Sequence, residues 1–299
     1  MSMSKRGWIL FASLGIIWGT PYMFIRVAVE SLSPAVVVCG RMALAVVLLL
    51  PFAMKEKPLA TWRKYKSGII MLAAVEMVVP FGALSIAEQH ISSSLAGLLI
   101  AGVPITTGLL LRRINHDDQW DRRRVLGLAI GMSGILALVG LDIRADNWWS
   151  IAMCFLAVFG YALGPIVITT KLQGAPDLAS IVLAQACAFV AYLPLLLWQL
   201  SNGTWRTEHA REVGVPMSAW LSVVGLGVLC TAIAFALLFK LIAEVGPSRT
   251  TVITYINPAV AILLGVVFLS EPFTLGLAVG FPLVLIGSVL ATRKQTPVT

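Results

Sequence analysis

Glu76 is the residue whose chemistry most needs explaining. It stands about nine residues into an apolar run that starts near Ser67, hence about 14 Å deep at a helix rise of about 1.5 Å per residue. A carboxylate at that depth in lipid is costly, and it faces a cavity or a cationic partner. The candidate partners are Arg41 and Arg26, each inside or at the end of its own apolar run. Two readings fit. Glu76 forms an internal ion pair with Arg41 or Arg26 that fixes the first three helices together, or it contacts a substrate amine or carries a proton. Arg26 is near enough to an interface to snorkel, whereas Arg41 lies deeper and reads as paired.

A second constellation is aromatic and amide: Trp18, Tyr22, Tyr161, Tyr255 and Asn257. Tyr and Trp combine apolar area with one polar handle. A pocket lined this way, with Pro80 and Pro104 counted among its residues, suits an amphipathic zwitterion better than a sugar phosphate. The alternative is ordinary helix packing. Trp8, Trp148, Trp149, Trp198 and Trp220 fit an interfacial belt better than a pocket. Pro21, Pro104, Pro165 and Pro258 fall inside apolar runs, where a missing N–H and a crowded ring bend a helix. They read either as hinges or as static kinks.

Other chemistry is weakly supported. His116-Asp117-Asp118-Gln119-Trp120-Asp121 imitates an acidic diphosphate-binding motif, but three arginines follow and no second acidic motif exists. It reads as a solvated helix start. His90, His116 and His209 all fall in loops, and no phosphate-binding Gly-rich loop with a following Lys occurs. Cys39, Cys154, Cys187 and Cys230 lie singly in apolar runs, without metal or disulfide spacing. No cofactor or metal is expected.

The elements that position these groups follow from composition. The chain has 299 residues, 59% hydrophobic and 12% charged, against about 25% charged in a soluble domain. Lipid must be the main solvent. With about 20 apolar residues per crossing, ten spans are predicted: Gly7–Val29, Pro34–Met54, Ser67–Ile86, Ser92–Leu111, Arg124–Gly140, Trp148–Thr170, Leu178–Leu200, Ser218–Leu241, Ser248–Ser270 and Thr274–Thr292. The first run has a basic start but no small-residue cleavage site, and reads as a retained helix. Sixteen Lys and Arg fall on one side and three on the other, which puts both termini in the cytoplasm. The net charge of +8 sits in these short clusters, so nucleic acid is not expected as a partner. The loop Ser201–Met217 is polar and long enough for a short surface helix.

The chain also repeats. Aligning Pro104 with Pro258 pairs Leu84 with Leu238 and Ser94 with Ser248, and Gly127-x6-Gly134 matches Gly280-x6-Gly287. Five helices per copy is odd, so the second copy enters from the opposite side. The expected units are residues 1–143 and 144–299. Such inverted repeats are typical of secondary transporters, with substrate near the midplane between them. An integral membrane enzyme is the competing class, and it lacks the clustered His, Asp or Cys it would need. Gly127-x3-Gly131 and Gly276-x3-Gly280 allow close helix approach. They read as scaffold packing, against each other, in a monomer. A homodimer interface is the alternative.

Trp18-Gly19, Phe24, Ser33-Pro34 and Arg41 at the start, with Tyr255-x2-Pro258, Glu271-Pro272, Thr274, Gly280 and Gly287 at the end, resemble the two signatures of the EamA family of the drug/metabolite transporter superfamily. The resemblance covers the whole chain. The second copy departs from it at Phe159-Gly160 and has no equivalent of Arg41. The resemblance implies an all-α, multi-pass exporter of small metabolites in the bacterial inner membrane. Exporters of the YddG type, which carry amino acids, fit best; nucleobases, drugs and sugars are the alternative cargoes.

Overall fold

The structure, a computed structural model, describes residues 4–114, 122–142, 147–245, 253 and 256–292. Apart from one β-bridge between Leu32 and Arg206, the regular structure is helical. We name the long helices α1 (Lys5–Gly19 continued by Pro21–Val29), α2 (Pro34–Ala53), α3 (Pro58–Ala73, a π-helical turn Ala74–Val78, then Val79–Ala87), α4 (Ser93–Ile100 and Val103–Ile114), α5 (Arg122–Asp142), α6 (Trp148–Lys171), α7 (Asp177–Ser201), α8 (Met217–Val224, a π-helical stretch Gly225–Ile233, then Ala234–Val245), α9 (Asn257–Leu269) and α10 (Leu275–Thr292). Seven of them are long and apolar enough to cross a membrane, and α5, α9 and α10 contribute shorter apolar stretches.

Large apolar side chains cover the outside: Val47, Leu136, Val190 and Phe268 are all more than 60% exposed. Lipid, not water, suits that surface. The five tryptophans assigned to a belt are also exposed, whereas Trp18 is not.

Local chemistry sets the helix ends. Ser4, Ser33 and Ser92 each accept a backbone N–H in the first turn of α1, α2 and α4. The third helix begins nine residues before the expected Ser67, at Pro58. Proline is at home in a first turn, where its missing N–H has no partner to lose. The basic run Arg63–Lys66 therefore rides on helical turns. The expected short helix is present as Glu208–Val213, capped by the Thr207 hydroxyl.

The proline expectations are partly corrected. Pro258 does not bend the middle of a described helix; it sits in the first turn of α9. Pro21 likewise opens the second half of α1, and Pro104 the second half of α4 after the turn at Ala101-Gly102. Only Pro165, of these four, lies inside a continuous helix.

The two halves are interleaved. The principal helix contacts join α2 to α7, α3 to α6, α1 to α8, α4 to α9 and α5 to α10. The α5–α10 crossing is set by glycine. A Cβ on Gly287 would lie 2.2 Å from the Gly131 nitrogen and 2.6 Å from the Gly127 carbonyl oxygen. One on Gly280 would lie 3.0 Å from the Gly134 carbonyl. The sequence alignment turns the Gly134–Gly280 contact into the Gly287–Gly127 contact, so the crossing is reciprocal. Two acids also reach across: Glu56 accepts the Ala179 N–H at the start of α7, and Glu271 accepts the Ser93 and Ser94 N–H groups at the start of α4.

Candidate functional site

Glu76 sits in the π-turn of α3. A π-turn widens the helix and displaces a carbonyl from its usual partner. Here the Val78 carbonyl accepts from the Tyr192 hydroxyl of α7 at 2.9 Å. The π-stretch of α8 handles its loose carbonyl the same way: Thr231 donates to the Leu226 carbonyl at 2.8 Å. The Pro104–Pro258 offset places the two π-elements at equivalent positions in the two halves. The wider turn presses Glu76 into a groove on α6 that exists because residue 164 is glycine. A Cβ there would lie 1.7 Å from the Glu76 Oε1. One turn earlier, a Cβ on Gly160 would meet the Val75 carbonyl at 2.6 Å and the Pro80 ring at 2.9 Å. Gly160 and Gly164 thus let α3 approach α6 closely enough to bring Glu76 between the halves.

Arg41 is only 8% exposed. Its Nε–H donates to the Thr231 hydroxyl at 2.9 Å, and its guanidinium lies 3.8 Å from the centre of the Phe81 ring. Phe81 in turn meets Tyr161 edge-on, with centroids 6.4 Å apart. Tyr161 is within electrostatic reach of both Arg41 and Glu76. Residues from α2, α3, α6 and α8 therefore converge on one place.

The expected ion pair of Glu76 with Arg41 or Arg26 does not form. Among the described residues neither Glu76 nor Arg41 has an ion pair. Arg26 bonds Glu30 at 3.5 Å and donates to the Glu88 and Gln89 carbonyls at 2.6 and 3.3 Å. Those carbonyls end α3, where the helix dipole favours a cation. Arg41 instead rests on a ring face and donates to a hydroxyl, contacts that steady it without supplying a counter-charge and that a helix-by-helix pairing rule does not anticipate.

The other predicted residues separate. Tyr22 is buried in the core, against α4 at Gly97. Trp18 packs edge-on to Phe235, with centroids 6.4 Å apart, in a cluster of α1 and α8 with Ile253. Asn257, in the amide orientation its neighbours require, donates to the Gly15 and Ile253 carbonyls at 3.2 and 3.1 Å, so it ties α9 to α1. Pro80 packs on Gly160. Pro104 starts a half-helix. Tyr255 and the segment His116–Asp121 lie outside the described residues.

Reading the sequence missed four participants. Phe81 and Thr231 have ordinary apolar-run surroundings and no local signal. Glu271 was legible as a motif with Pro272, but not as the cap of α4. Glu88 falls just past the predicted span Ser67–Ile86 and drew no reading; it is 0% exposed, and neither carboxylate oxygen has a hydrogen-bond partner among the described residues. Among the described residues no three of His, Cys, Asp and Glu gather so as to hold a metal ion.

A membrane-embedded helical protein with two interleaved halves, whose Arg41 and Glu76 at the seam have no ion pair among the described residues, has the architecture of a small-molecule carrier. The chain belongs to the EamA-like transporter family, whose model matches residues 5–140 and again residues 148–293. It is 26% identical to an uncharacterised inner membrane transporter of Escherichia coli, YedA, over 258 residues, 86% of this chain and 80% of that one. It is 25% identical over 303 residues to a probable terminal-alkyne amino-acid exporter of Streptantibioticus cattleyicolor, covering 98% of this chain and 95% of that one. A crystal structure superposes with a TM-score of 0.63 at 17% identity, covering 95% of this chain and 96% of the other; at that identity the likeness concerns the fold. The chain is a multi-pass protein of the inner membrane.

Proposed function

We propose that this protein exports amino acids, the neutral and aromatic ones foremost, by alternating access. One observation carries the reading. Among the described residues Arg41 and Glu76 have no ion-pair partner, and the aromatic pair Phe81 and Tyr161 links them: Arg41 lies over Phe81, and Tyr161 is within electrostatic reach of both. An α-carboxylate complements the Arg41 guanidinium, an α-ammonium complements Glu76, and an apolar side chain complements the rings. A buried charge without a partner is expensive, and a zwitterion would supply both partners at once. The amino-acid exporter among the relatives supports the same cargo class. The site residues belong to α2, α3, α6 and α8, and so to both halves.

In this reading the ten helices all cross the membrane, as two inverted units of five split near residues 143 and 144, with both termini in the cytoplasm. Rocking of one unit against the other would expose the site to each face in turn. The reciprocal α5–α10 crossing supports a pseudo-two-fold axis between the units. No ATP-binding loop is present in the sequence, so the driving force is a gradient of substrate or of an ion. The test is efflux from proteoliposomes loaded with a panel of labelled amino acids. Accelerated efflux of neutral or aromatic members supports the reading. Failure to move any amino acid, alongside movement of a nucleobase, drug or sugar, overturns the cargo and keeps the carrier.

A further inference from the structure

Glu88 is a buried acid that the proposed carrier site does not use. It stands just past the last turn of α3 and is 0% exposed. Both carboxylate oxygens lack a hydrogen-bond partner among the described residues. A buried, unbonded carboxylate is unstable while charged. The groups that face it do not offset that cost. Tyr22 and Arg26 approach from α1, Cys154 and Tyr161 from α6, and Glu271 from the α9–α10 link. Arg26 is the only cation among them. Its side chain is committed to Glu30 and to the backbone carbonyls of Glu88 and Gln89, and its charge and backbone N–H favour a charged Glu88 less than burial disfavours it.

The neighbouring Glu271 is in the opposite situation. Its two oxygens accept the Ser93 N–H at 2.7 Å, the Ser94 N–H at 3.0 Å and the Ser94 hydroxyl. Three donors hold the charged form in place. This is a latch between the halves, because Glu271 comes from the second copy and α4 from the first. Gly265 makes room for it: a Cβ there would lie 2.2 Å from Glu271 Oε2. A cavity of about 170 Å³ opens beside the latch, lined by His90, Ser92, Leu95, Asn147, Pro272 and Leu277 among others.

We propose that Glu88 is a proton-binding site, and that opening of the Glu271 latch releases its proton. In the closed latch Glu88 is a neutral carboxylic acid, and Glu271 caps α4 through its hydrogen bonds to Ser93 and Ser94. When the α9–α10 link lifts from α4, water reaches Glu88, its O–H bond breaks, and the proton leaves to solvent. Glu88 remains as a hydrated carboxylate. The sign is fixed by burial. Glu88 holds its proton more tightly when closed than when open, so its proton stabilises the closed latch. That stabilisation is complete below the open-state titration of an ordinary glutamate, about pH 4.3, and is lost as pH rises toward its closed-state titration. Between those limits the opening equilibrium rises about tenfold per pH unit. Use of this proton in transport rests on the alternating-access reading above. The latch itself does not, because it can be observed without substrate.

The experiment is hydrogen–deuterium exchange of the full-length protein in lipid nanodiscs, with D₂O as the only probe. After correction for intrinsic rates, protection of the Ser93 and Ser94 amides should fall about tenfold per unit as pH rises from about one unit above an ordinary glutamate's titration toward the closed-state titration. Glu88→Gln should abolish that slope. The Ala179 amide is an internal control, because Glu56 holds it with no buried acid alongside, and it should show no slope. A wild-type Ser93–Ser94 segment without a slope, or an unchanged slope in E88Q, overturns the proposal. If E88Q does not fold, infrared spectra of E76Q keep it testable. That background removes Glu76, the other acid of the described membrane-spanning helices that burial disfavours in its charged form, and a protonated-carboxyl C=O stretch at neutral pH is then expected from Glu88; its absence overturns the proposal.

Discussion

Replacing Gly287 with alanine is the sharpest test of the packing that holds the halves together. The added Cβ would lie 2.2 Å from the Gly131 nitrogen and 2.4 Å from its Cα. An ordinary contact begins at 3.4 Å, so the shortfall is about 1.2 Å in a close-packed interior. The opposing atoms are backbone, so no rotamer change relieves the clash. The helices must part, and parting also loosens the contact between Gly134 and Gly280 on the same seam. Overpacking of this kind costs about 1–3 kcal/mol, against a helix-propensity gain of up to about 1 kcal/mol for Gly→Ala. The assay is the fraction of monodisperse protein left after heating in detergent, since membrane proteins unfold irreversibly and their resistance is a rate. G287A should fail at a lower temperature than wild type. Gly108→Ala, whose Cβ meets nothing within 4 Å, should match or exceed wild type. A G287A protein as heat-resistant as G108A would refute the proposed seam.

Three further outcomes are expected. Gly164→Ala should displace the Glu76 carboxyl, which is the flexible end of a side chain, so stability should hold while the KM for amino-acid efflux rises about tenfold. Arg41→Lys keeps the charge but loses the planar fork and the ring stacking; efflux at low substrate should fall about tenfold or more, with thermal resistance tracked in parallel. Tyr192→Phe leaves the Val78 carbonyl without its hydroxyl donor and should lower stability by about 1–3 kcal/mol, read by the same heating assay.

The spans and the repeat were legible because they depend on composition and spacing. Apolar runs must be helices in lipid, and paired prolines and glycines mark equivalent places in two copies. Gly127-x3-Gly131 and Gly276-x3-Gly280, read as packing against each other, lie on the two helices that do touch. The π-turns were not legible. Nothing in Ala74–Val78 distinguishes it from α-helix, yet that turn aims Glu76 at α6. The partner of Glu76 was misjudged for a related reason. Depth alone pairs acid with base, but Arg41 can be satisfied by a ring and a hydroxyl, and Arg26 by the carbonyls that end a helix. Asn257 looked like a binding amide because it precedes a proline in an apolar run; the backbone of α1 takes it instead. Glu88 drew no reading because it lies two residues past the predicted span Ser67–Ile86, whereas packing from α1, α6 and the α9–α10 link buries it completely.

The central claim is that one site takes both charges of a zwitterion, and a set of matched cargoes tests it most directly. Efflux from proteoliposomes would be compared for a neutral amino acid, its amide without the carboxylate, and its deaminated acid without the ammonium, in wild type, Arg41→Gln and Glu76→Gln. The account predicts that wild type moves only the intact amino acid, that R41Q loses its discrimination against the amide, and that E76Q loses its discrimination against the deaminated acid. Equal efflux of all three compounds by wild type, or variants that leave the discrimination unchanged, would contradict it.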